Sequence, residues 1–315
     1  SNIALVKYWG KYGVQLPKNP SISFTLSNCV TTTEVSFSPN DKKKYPTFEF
    51  YFNKNENKDF HPKINQFFEY ILHYFPILED HHMVISSINS FPHSSGIASS
   101  ASAMAALALC VVDFERQFHP ELGEQDFFKK ASFLARLGSG SASRSIKGPL
   151  TLWGKSPAFR DSSDLYAIPL DSGIHKIFKT YCDTILIVDK EKKQVSSSVG
   201  HKLMQEHPFA ENRFDQANRN CEFLKSVLKT GDIERFIEIT ESEALTLHSM
   251  MMTSSPRYLL LKPNTLNIIN RVWEYRFETN TPISFTLDAG ANVHLLYPAN
   301  ESDKVITFIK SELLD

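Results

Sequence analysis

The chain has 315 residues, of which 42% are hydrophobic and 22% charged, and its formal net charge is −1 at pH 7. This length suits two domains, and the composition is ordinary for a globular protein with a large core. A charge so close to zero provides no field that would attract nucleic acid or an anionic membrane. An anionic ligand would therefore have to meet locally gathered Lys and Arg side chains.

The cysteine pattern and the N-terminus bear on the compartment. The four cysteines are far apart and form no CxxC pair: Cys29, Cys110, Cys182 and Cys221. This pattern predicts reduced thiols in a cytoplasmic protein, not a disulfide framework or a zinc site. No signal peptide is visible, and we expect a few N-terminal residues to be missing because the chain starts at Ser1 and becomes apolar almost at once.

The first half of the chain is rich in strand patterns. Runs of β-branched and aromatic residues between turn residues predict strands over residues 3–6, 21–26, 31–37, 47–52, 83–88 and 149–153. Helical spacing predicts helices over 64–75, where Pro62 is suited to a helix start, and over 126–137, where Gly138 is a natural stop.

The stretch FPHSSGIASSASAMAALALCVV, residues 91–112, opens with a Pro, a Gly and five Ser and then becomes almost wholly apolar. Gly96 and the serines interrupt it too often for a membrane span. Since it is apolar on nearly every side from Ala101 onward, it predicts a buried helix that continues to about Phe118.

The second half has long helical patterns and few strands. It predicts strands over 184–188, 283–287 and 293–297 and helices over 212–228, 233–250, 265–277 and 303–313. Strands mixed with paired helices indicate an α+β sandwich in each half, with a boundary near residues 172–176.

Four polar clusters are candidates for chemistry. The Ser-Gly loop before the buried helix can bind phosphate, because free N–H groups and the helix dipole attract anions and Gly96 permits close approach. Its spacing is not that of a Walker loop, and a Ser-rich helix start is more often a simple cap. The run GSGSASRSIK, residues 138–147, packs hydroxyls beside Arg144, which suits a carboxylate or phosphate unless the run is merely a flexible loop.

The other two clusters follow predicted strands. VKYWGK, residues 6–11, places Lys7 and Lys11 around two aromatic residues, although lone lysines are usually solvated. FTLDAGAN, residues 285–292, places Asp288 at a strand end before a Gly turn, where a carboxylate is either a cap or a base.

Four stretches in this order resemble the mevalonate diphosphate decarboxylases of the GHMP kinase superfamily: NIALVKYWGK, the Pro-x-x-x-Gly-Ile-x-Ser-Ser-Ala run at 92–101, RLGSGSASRS and FTLDAGANVHLLY. The resemblance runs from near Ser1 to Tyr297. It implies a GHMP kinase-like α+β fold of two domains, each a mixed or antiparallel sheet packed with helices, with the active-site cleft between them. The nucleotide-binding domain would span 1–175 and the C-terminal domain 176–315.

The resemblance implies an ATP- and Mg²⁺-dependent carboxy-lyase that converts mevalonate 5-diphosphate to isopentenyl diphosphate in isoprenoid biosynthesis. The tertiary hydroxyl would be phosphorylated, and loss of phosphate and CO₂ would form the alkene. The resemblance also implies a homodimer, whereas the cytoplasmic location follows from the cysteines and the expectation of no nucleic-acid or membrane partner follows from the net charge. Three alternatives stay open: a decarboxylase of the monophosphate, a GHMP small-molecule kinase, and a non-catalytic sensor with this fold.

The resemblance also assigns site residues. Asp288 would orient or deprotonate the tertiary hydroxyl beside Lys7, and Arg144 would hold the carboxylate. The remaining assignments are substrate contacts at Tyr8, Lys11, Ser139, Ser141 and Ser197, and ATP contacts at Ser94, Ser95, Gly96, Ser99 and Ser100, with Ser100 also on the metal.

Some positions depart from the family pattern. His201 stands where relatives often have Met, and Ser198 stands where some have Thr or Arg. His93, Ser94 and Ser95 stand where many relatives have smaller or less polar residues. The presence of both Lys7 and Asp288 argues against a pure kinase.

Overall fold

A computed structural model describes residues 1–40, 45–92, 97–190 and 195–314. The strands in chain order are β1 (Asn2–Ala4), β2 (Lys11–Tyr12), β3 (Leu16–Pro17), β4 (Ser21–Thr25), β5 (Thr31–Pro39), β6 (Thr47–Phe52), β7 (Asn55–Glu56), β8 (His81–Asn89), β9 (Leu150–Trp153), β10 (Ile168–Pro169), β11 (Cys182–Leu186), β12 (Ser284–Thr286) and β13 (Val293–Tyr297).

The helices in chain order are α1 (His61–Ile71), α2 (Ser99–Arg116), α3 (Glu124–Gly138), α4 (Lys176–Lys179), α5 (Ser197–Leu203), α6 (Ala210–Thr230), α7 (Ile233–Thr253), α8 (Pro263–Thr279) and α9 (Ser302–Phe308). A 3₁₀ segment, Gly140–Ser145, joins α3 to β9, and a π-helical turn, Ile309–Leu313, extends α9. Pro62 lies in the first turn of α1, and α3 ends at Gly138, as the sequence predicts.

The strands form an α+β fold with two four-stranded sheets in the first half. One sheet is antiparallel in the order β1-β4-β9-β10, and the other is mixed in the order β5-β8-β6-β7, with β6 and β8 parallel. The second half contributes an antiparallel sheet in the order β11-β13-β12. The fold class predicted from the sequence is confirmed.

Helix α2 is buried along its length, as its composition predicts. Every residue from Ala101 to Val112 is buried or half-buried. It packs with α1 and α3 against the mixed sheet, in a cluster of apolar side chains drawn from residues 35–146. The first turn of α2, at Ser99 and Ser100, therefore belongs to a helix that packs into the core, and this packing fixes where the turn points.

Two predicted strands end two residues earlier than expected, for local reasons. β1 stops at Ala4 because the N–H groups of Leu5 and Val6 both donate to the carbonyl of Ile22, at 2.7 and 3.3 Å, which is a bulge. β11 stops at Leu186 because the Asn292 side chain accepts the N–H groups of Val188 and Asp189, at 2.7 and 2.9 Å. The bulge in the first case directs the following residue, Lys7, out of the sheet.

Candidate active site

One cavity, of about 620 Å³, gathers the polar clusters found in the sequence. Its walls include all the predicted site residues that the structure describes: Lys7, Tyr8, Lys11, Ser99, Ser100, Ser139, Ser141, Arg144, Ser197 and Asp288. Ser94, Ser95 and Gly96, together with His93, lie outside the described residues.

The cavity is positively charged. Among its described lining residues, four carry a positive charge, Lys7, Lys11, Lys63 and Arg144, whereas Asp288 alone carries a negative one. This is the local gathering of cations that a chain of net charge −1 needs in order to bind an anion. The arrangement suits a ligand or ligands with several anionic groups.

Lys7 and Asp288 form an ion pair in the wall of the cavity. The Lys7 Nζ lies 3.3 Å from the Asp288 Oδ1, and the Lys7 side chain is only 2% exposed, whereas that of Asp288 is 27% exposed. Complete burial lowers the pKa of Lys7 from its ordinary value of 10.5, and attraction to Asp288 opposes that shift. Asp288 thus presents a carboxylate to the cavity with an ammonium group beside it.

The backbone of Lys7 is held from both sides by a buried ion pair of the second half. The Lys7 N–H donates to the Glu243 Oε2 at 2.8 Å, and its carbonyl accepts from Arg213 and from the Asn19 amide at 3.3 and 2.9 Å. Arg213 on α6 also donates twice to Glu243 on α7, and both side chains are fully buried. Arg213 and Glu243 were not predicted from the sequence, since nothing in the helical pattern separates them from surface charges.

Arg144 is buried, and its orientation is set by two serine hydroxyls of β4. Its Nε donates to Ser23 at 2.5 Å and its Nη1 to Ser21 at 2.7 Å. Burial lowers its pKa to about 10, and attraction to Asp288 opposes this, so the guanidinium stays charged at neutral pH. The anchored guanidinium lines the cavity with a fixed position and direction.

The hydroxyl of Tyr8 is a hydrogen-bonding group without a partner in the part of the chain that the structure describes. It is buried, and burial raises its pKa, so it stays protonated. The ring packs between Trp153 and His201, with ring centroids at 4.7 and 4.3 Å. Gly140 permits this, because a Cβ there would lie 2.8 Å from the Tyr8 hydroxyl. A buried hydroxyl without a partner costs free energy unless a ligand satisfies it.

The predicted serines have separate surroundings. Ser139 and Ser141 line the cavity from the segment between α3 and β9, and Ser197 lines it from the first turn of α5. Two further serines of the same cluster support the backbone: Ser143 donates to the carbonyl of Gly140 and Ser145 accepts from Asn2. The dense hydroxyl cluster in the sequence therefore divides into ligand-facing and structural members.

Lys63 of α1 is a cavity residue that the sequence analysis missed. Its ammonium donates to the hydroxyl of Ser100 in the first turn of α2. Burial lowers the pKa of Lys63 to about 8, and the charge of Lys11 adds to the shift. Burial and the charge of Lys202 also lower the pKa of Lys11. The amphipathic pattern of α1 gives no signal for Lys63, because a lysine beside an apolar face is usually solvated.

His201 also lines the cavity, on α5, which the sequence analysis did not predict as a helix. From the sequence alone, His201 is only a departure from the family pattern. Its ring lies between Tyr8 and Trp9, at centroid distances of 4.3 and 4.7 Å. Gly200 lets α5 approach Trp9 closely, because a Cβ there would lie 2.4 Å from the indole.

Neither a metal cluster nor a membrane span is found in the part of the chain that the structure describes. No group of three or more His, Cys, Asp or Glu side chains could hold a metal there. No helix in the same ranges has the length and apolar content to cross a membrane.

Residues 1–165 match the diphosphomevalonate decarboxylase-like N-terminal domain, and residues 184–314 match the mevalonate 5-diphosphate decarboxylase C-terminal domain. The diphosphomevalonate decarboxylase of Candida albicans is 29% identical over 330 aligned positions, which cover 98% of this chain and 85% of that protein.

Solved structures agree. The mevalonate diphosphate decarboxylase of Staphylococcus aureus is 30% identical with a TM-score of 0.85, over 100% of this chain and 90% of that one. A second structure, named MDDEF and solved in complex with MVAPP, AMPPCP and magnesium, is 29% identical with a TM-score of 0.85, over 99% of this chain and 91% of that one.

Proposed function

We propose that this chain, which belongs to the diphosphomevalonate decarboxylase family, catalyses the ATP-dependent decarboxylation of mevalonate 5-diphosphate. The products are isopentenyl diphosphate, ADP, phosphate and CO₂. The observation that carries the proposal is the Lys7–Asp288 pair, 3.3 Å apart, in a cavity that also holds the buried cation Arg144. These groups match the two ends of a β-hydroxy acid.

The reaction needs a positioned carboxylate at the tertiary hydroxyl. Asp288 accepts the hydroxyl hydrogen and aims the oxygen at the γ-phosphate, and the charged Lys7 lies beside it at 3.3 Å. Phosphorylation makes the oxygen a leaving group, and its departure leaves positive character at the tertiary carbon. The electrons of the adjacent carbon–carboxylate bond then form the alkene as CO₂ leaves.

Arg144 binds the substrate carboxylate. Its Nε and Nη1 are engaged by Ser23 and Ser21, so the guanidinium cannot swing away when CO₂ departs. A fixed cation holds the carboxylate near the tertiary carbon and orients the bond that breaks. Ser139 and Ser141 lie in the same wall and add hydroxyl donors.

The opening turn of α2 binds the nucleotide phosphates. Ser99 and Ser100 face the cavity there, where helix N–H groups are free and the helix dipole favours an anion. The described residues fit Mg²⁺ through one ligand only, the Ser100 hydroxyl. In such sites Mg²⁺ takes its other ligands from phosphates and water. ATP with Mg²⁺ supplies the transferred phosphoryl group. Lys63, whose ammonium donates to Ser100, would supply a positive charge beside the phosphates of bound ATP.

The substrate diphosphate binds to Lys11, Tyr8 and Ser197, which line the cavity. This assignment is supported by the positive charge of Lys11 and by the unpartnered buried hydroxyl of Tyr8.

A paired assay of ADP and CO₂ tests the function. The purified protein is given ATP and Mg²⁺ with mevalonate 5-diphosphate, or with the 5-monophosphate, at matched concentrations. We expect equal amounts of ADP and CO₂ with the diphosphate and at least tenfold slower turnover with the monophosphate. ADP without CO₂ would identify a kinase, preference for the monophosphate would change the substrate, and binding without turnover would identify a sensor.

The location, the assembly and the domain division are also proposed. The family resemblance supports a homodimer, and the four free cysteines, which form no disulfide among the described residues, suit a cytoplasmic protein. The two family matches, over residues 1–165 and 184–314, support domains at 1–175 and 176–315. Two apolar clusters lie within these ranges, and a third joins residues from both. Light scattering tests the dimer, and limited proteolysis near residues 172–176 tests the boundary.

A further inference from the structure

The hydrogen bond from Gly10 fixes which nitrogen of His201 carries a proton. The Gly10 backbone N–H donates to the Nδ1 of His201 at 3.0 Å. Nδ1 must therefore hold a lone pair, and a neutral imidazole then carries its hydrogen on Nε2. His201 is thus a ring with one N–H donor in a defined place.

The surroundings of the ring keep it neutral. Burial lowers the pKa of His201 to about 3, and the positive charges of Lys11 and Arg144 lower it further. No described acidic side chain is paired with the ring, which packs on Tyr8 and Trp9 instead. Since a proton on Nδ1 would also break the bond from Gly10, geometry and charge favour the same form.

His201 is placed to contact an anion bound in the cavity. It is close enough to both Lys11 and Arg144 for their charges to act on it, and all three residues line the cavity. Among the described residues the hydrogen bond found for the His201 ring is the one from Gly10 to Nδ1, and this leaves Nε2 to donate to a ligand in the cavity. A donor in this position, beside the unpartnered Tyr8 hydroxyl, suits an oxygen of a ligand that reaches from one cation toward the other.

We infer that His201 is a specificity residue, whose Nε2–H donates a hydrogen bond to a phosphate oxygen of the substrate. The inference rests on the proposed function, because it assigns the phosphate-bearing end of that substrate to the wall made by Tyr8, Lys11 and His201. An uncharged donor recognises the phosphate without adding a third cation next to Lys11 and Arg144. The donor therefore stays in place and uncharged across the neutral range.

Two substitutions separate the donor from the packing. His201→Met keeps the approximate volume and removes the donor, whereas His201→Gln keeps an N–H donor and an oxygen that can accept from Gly10. Because a hydrogen bond to a charged group is worth about 1.5–3 kcal/mol, we expect His201→Met to raise the KM for the substrate about 10- to 100-fold. We expect His201→Gln to stay within about fivefold of the wild type, and the KM for ATP to change less than threefold in both. Equal KM values for the substrate in wild type and His201→Met would overturn the inference.

Nitrogen NMR of the wild-type protein gives a second readout that needs no turnover. With ¹⁵N-histidine, we expect the His201 signal, identified by its loss in His201→Gln, to show a protonated Nε2 and an unprotonated Nδ1 from pH 6 to 8. Inorganic pyrophosphate should shift the Nε2 signal. A protonated Nδ1, or no shift at saturating pyrophosphate, would overturn the inference. A correct tautomer and shift in a protein without decarboxylase activity would instead reject the proposed function and keep the phosphate-binding role.

Discussion

The Glu243 carboxylate accepts the backbone N–H of Lys7 at 2.8 Å, although the two residues are 236 positions apart. Arg213 closes the arrangement, because it donates both to Glu243 and to the Lys7 carbonyl. Both members of this ion pair are fully buried. The pair therefore holds the peptide that carries Lys7, and through it the distance from Lys7 to Asp288.

We expect Glu243→Gln to lower kcat about tenfold or more, because Arg213 would lose its charged partner and the Lys7 backbone would shift. Breaking a buried ion pair also costs about 3–5 kcal/mol of stability, so kinetics are measured well below the melting temperature. The KM for ATP should stay within about threefold, since α2 is untouched.

Glu241→Gln is the matched control for this variant. Glu241 lies on the same helix, α7, and pairs with Arg276 at 2.6 Å, but neither residue lines the cavity. It should lower the melting temperature with kcat unchanged. Equal effects of the two variants on kcat would make Glu243 a purely structural residue.

Asp288→Asn should fold and bind ATP but lose at least about 10² in turnover, because Asn keeps the shape and cannot accept the hydroxyl proton. Lost orientation of the hydroxyl would add to this effect. Release of CO₂ is measured with saturating ATP and substrate. Turnover within a few-fold of the wild type would remove Asp288 from the mechanism.

Arg144→Lys should lose turnover while the KM for ATP changes little. Lysine keeps the charge, but it cannot bond to Ser21 and Ser23 and still present a planar donor pair to a carboxylate. Arg136→Lys is the control: Arg136 is equally buried, bonds to the carbonyls of Leu165 and Val14, and does not line the cavity. Normal decarboxylation by Arg144→Lys would make Arg144 a structural residue.

Much of this fold follows from local sequence patterns. Core helices such as α2 and α3, and strands such as β5 and β8, have the periodicity or apolar content that their burial requires. The short helix α5 has no such pattern. The ends of β1 and β11 also have no local signal, because a bulge ends β1 and the Asn292 side chain ends β11. The motif residues Lys7, Arg144 and Asp288 were found because they sit beside strand ends and turn residues.

The missed site residues depend on tertiary contacts. Lys63 enters the cavity only because α1 packs beside the start of α2. Glu243 and Arg213 lie on two different helices and form their ion pair only in the folded protein. The tautomer of His201 is set by the N–H of Gly10, which lies 191 positions earlier. No local spacing in the sequence encodes such pairings.

Lys63→Met should raise the KM for ATP about 10- to 100-fold, because it removes a charge-assisted hydrogen bond to the nucleotide phosphates. The KM for the substrate and the melting temperature should change little. Lys58→Met is the control, since the Lys58 side chain is 77% exposed and lies outside the cavity. An unchanged KM for ATP in Lys63→Met would leave Lys63 as a partner of Ser100 only.

The buried neutral ring of His201 should make the protein less stable in mild acid. Its pKa is about 3 in the folded protein and about 6.5 as an ordinary value, so the unfolded chain binds the extra proton between these limits. The stability that His201 contributes is therefore fully present above about pH 6.5 and falls as the pH drops toward 3. Lys11 and Arg144, the charged groups that act on the ring, keep their charge throughout this range and do not alter the sign.

Lowering the pH from 7.5 to 5 should reduce the free energy of unfolding by about 2 kcal/mol through His201 alone. His201→Gln has no such group, so over this interval it should lose about 2 kcal/mol less stability than the wild type, whatever its stability at pH 7.5. Urea unfolding of both proteins at the two pH values measures this difference, and the other histidines and carboxylates cancel in the comparison. Parallel losses in the two proteins would show that His201 takes up a proton in the folded state, which would also break its bond from Gly10.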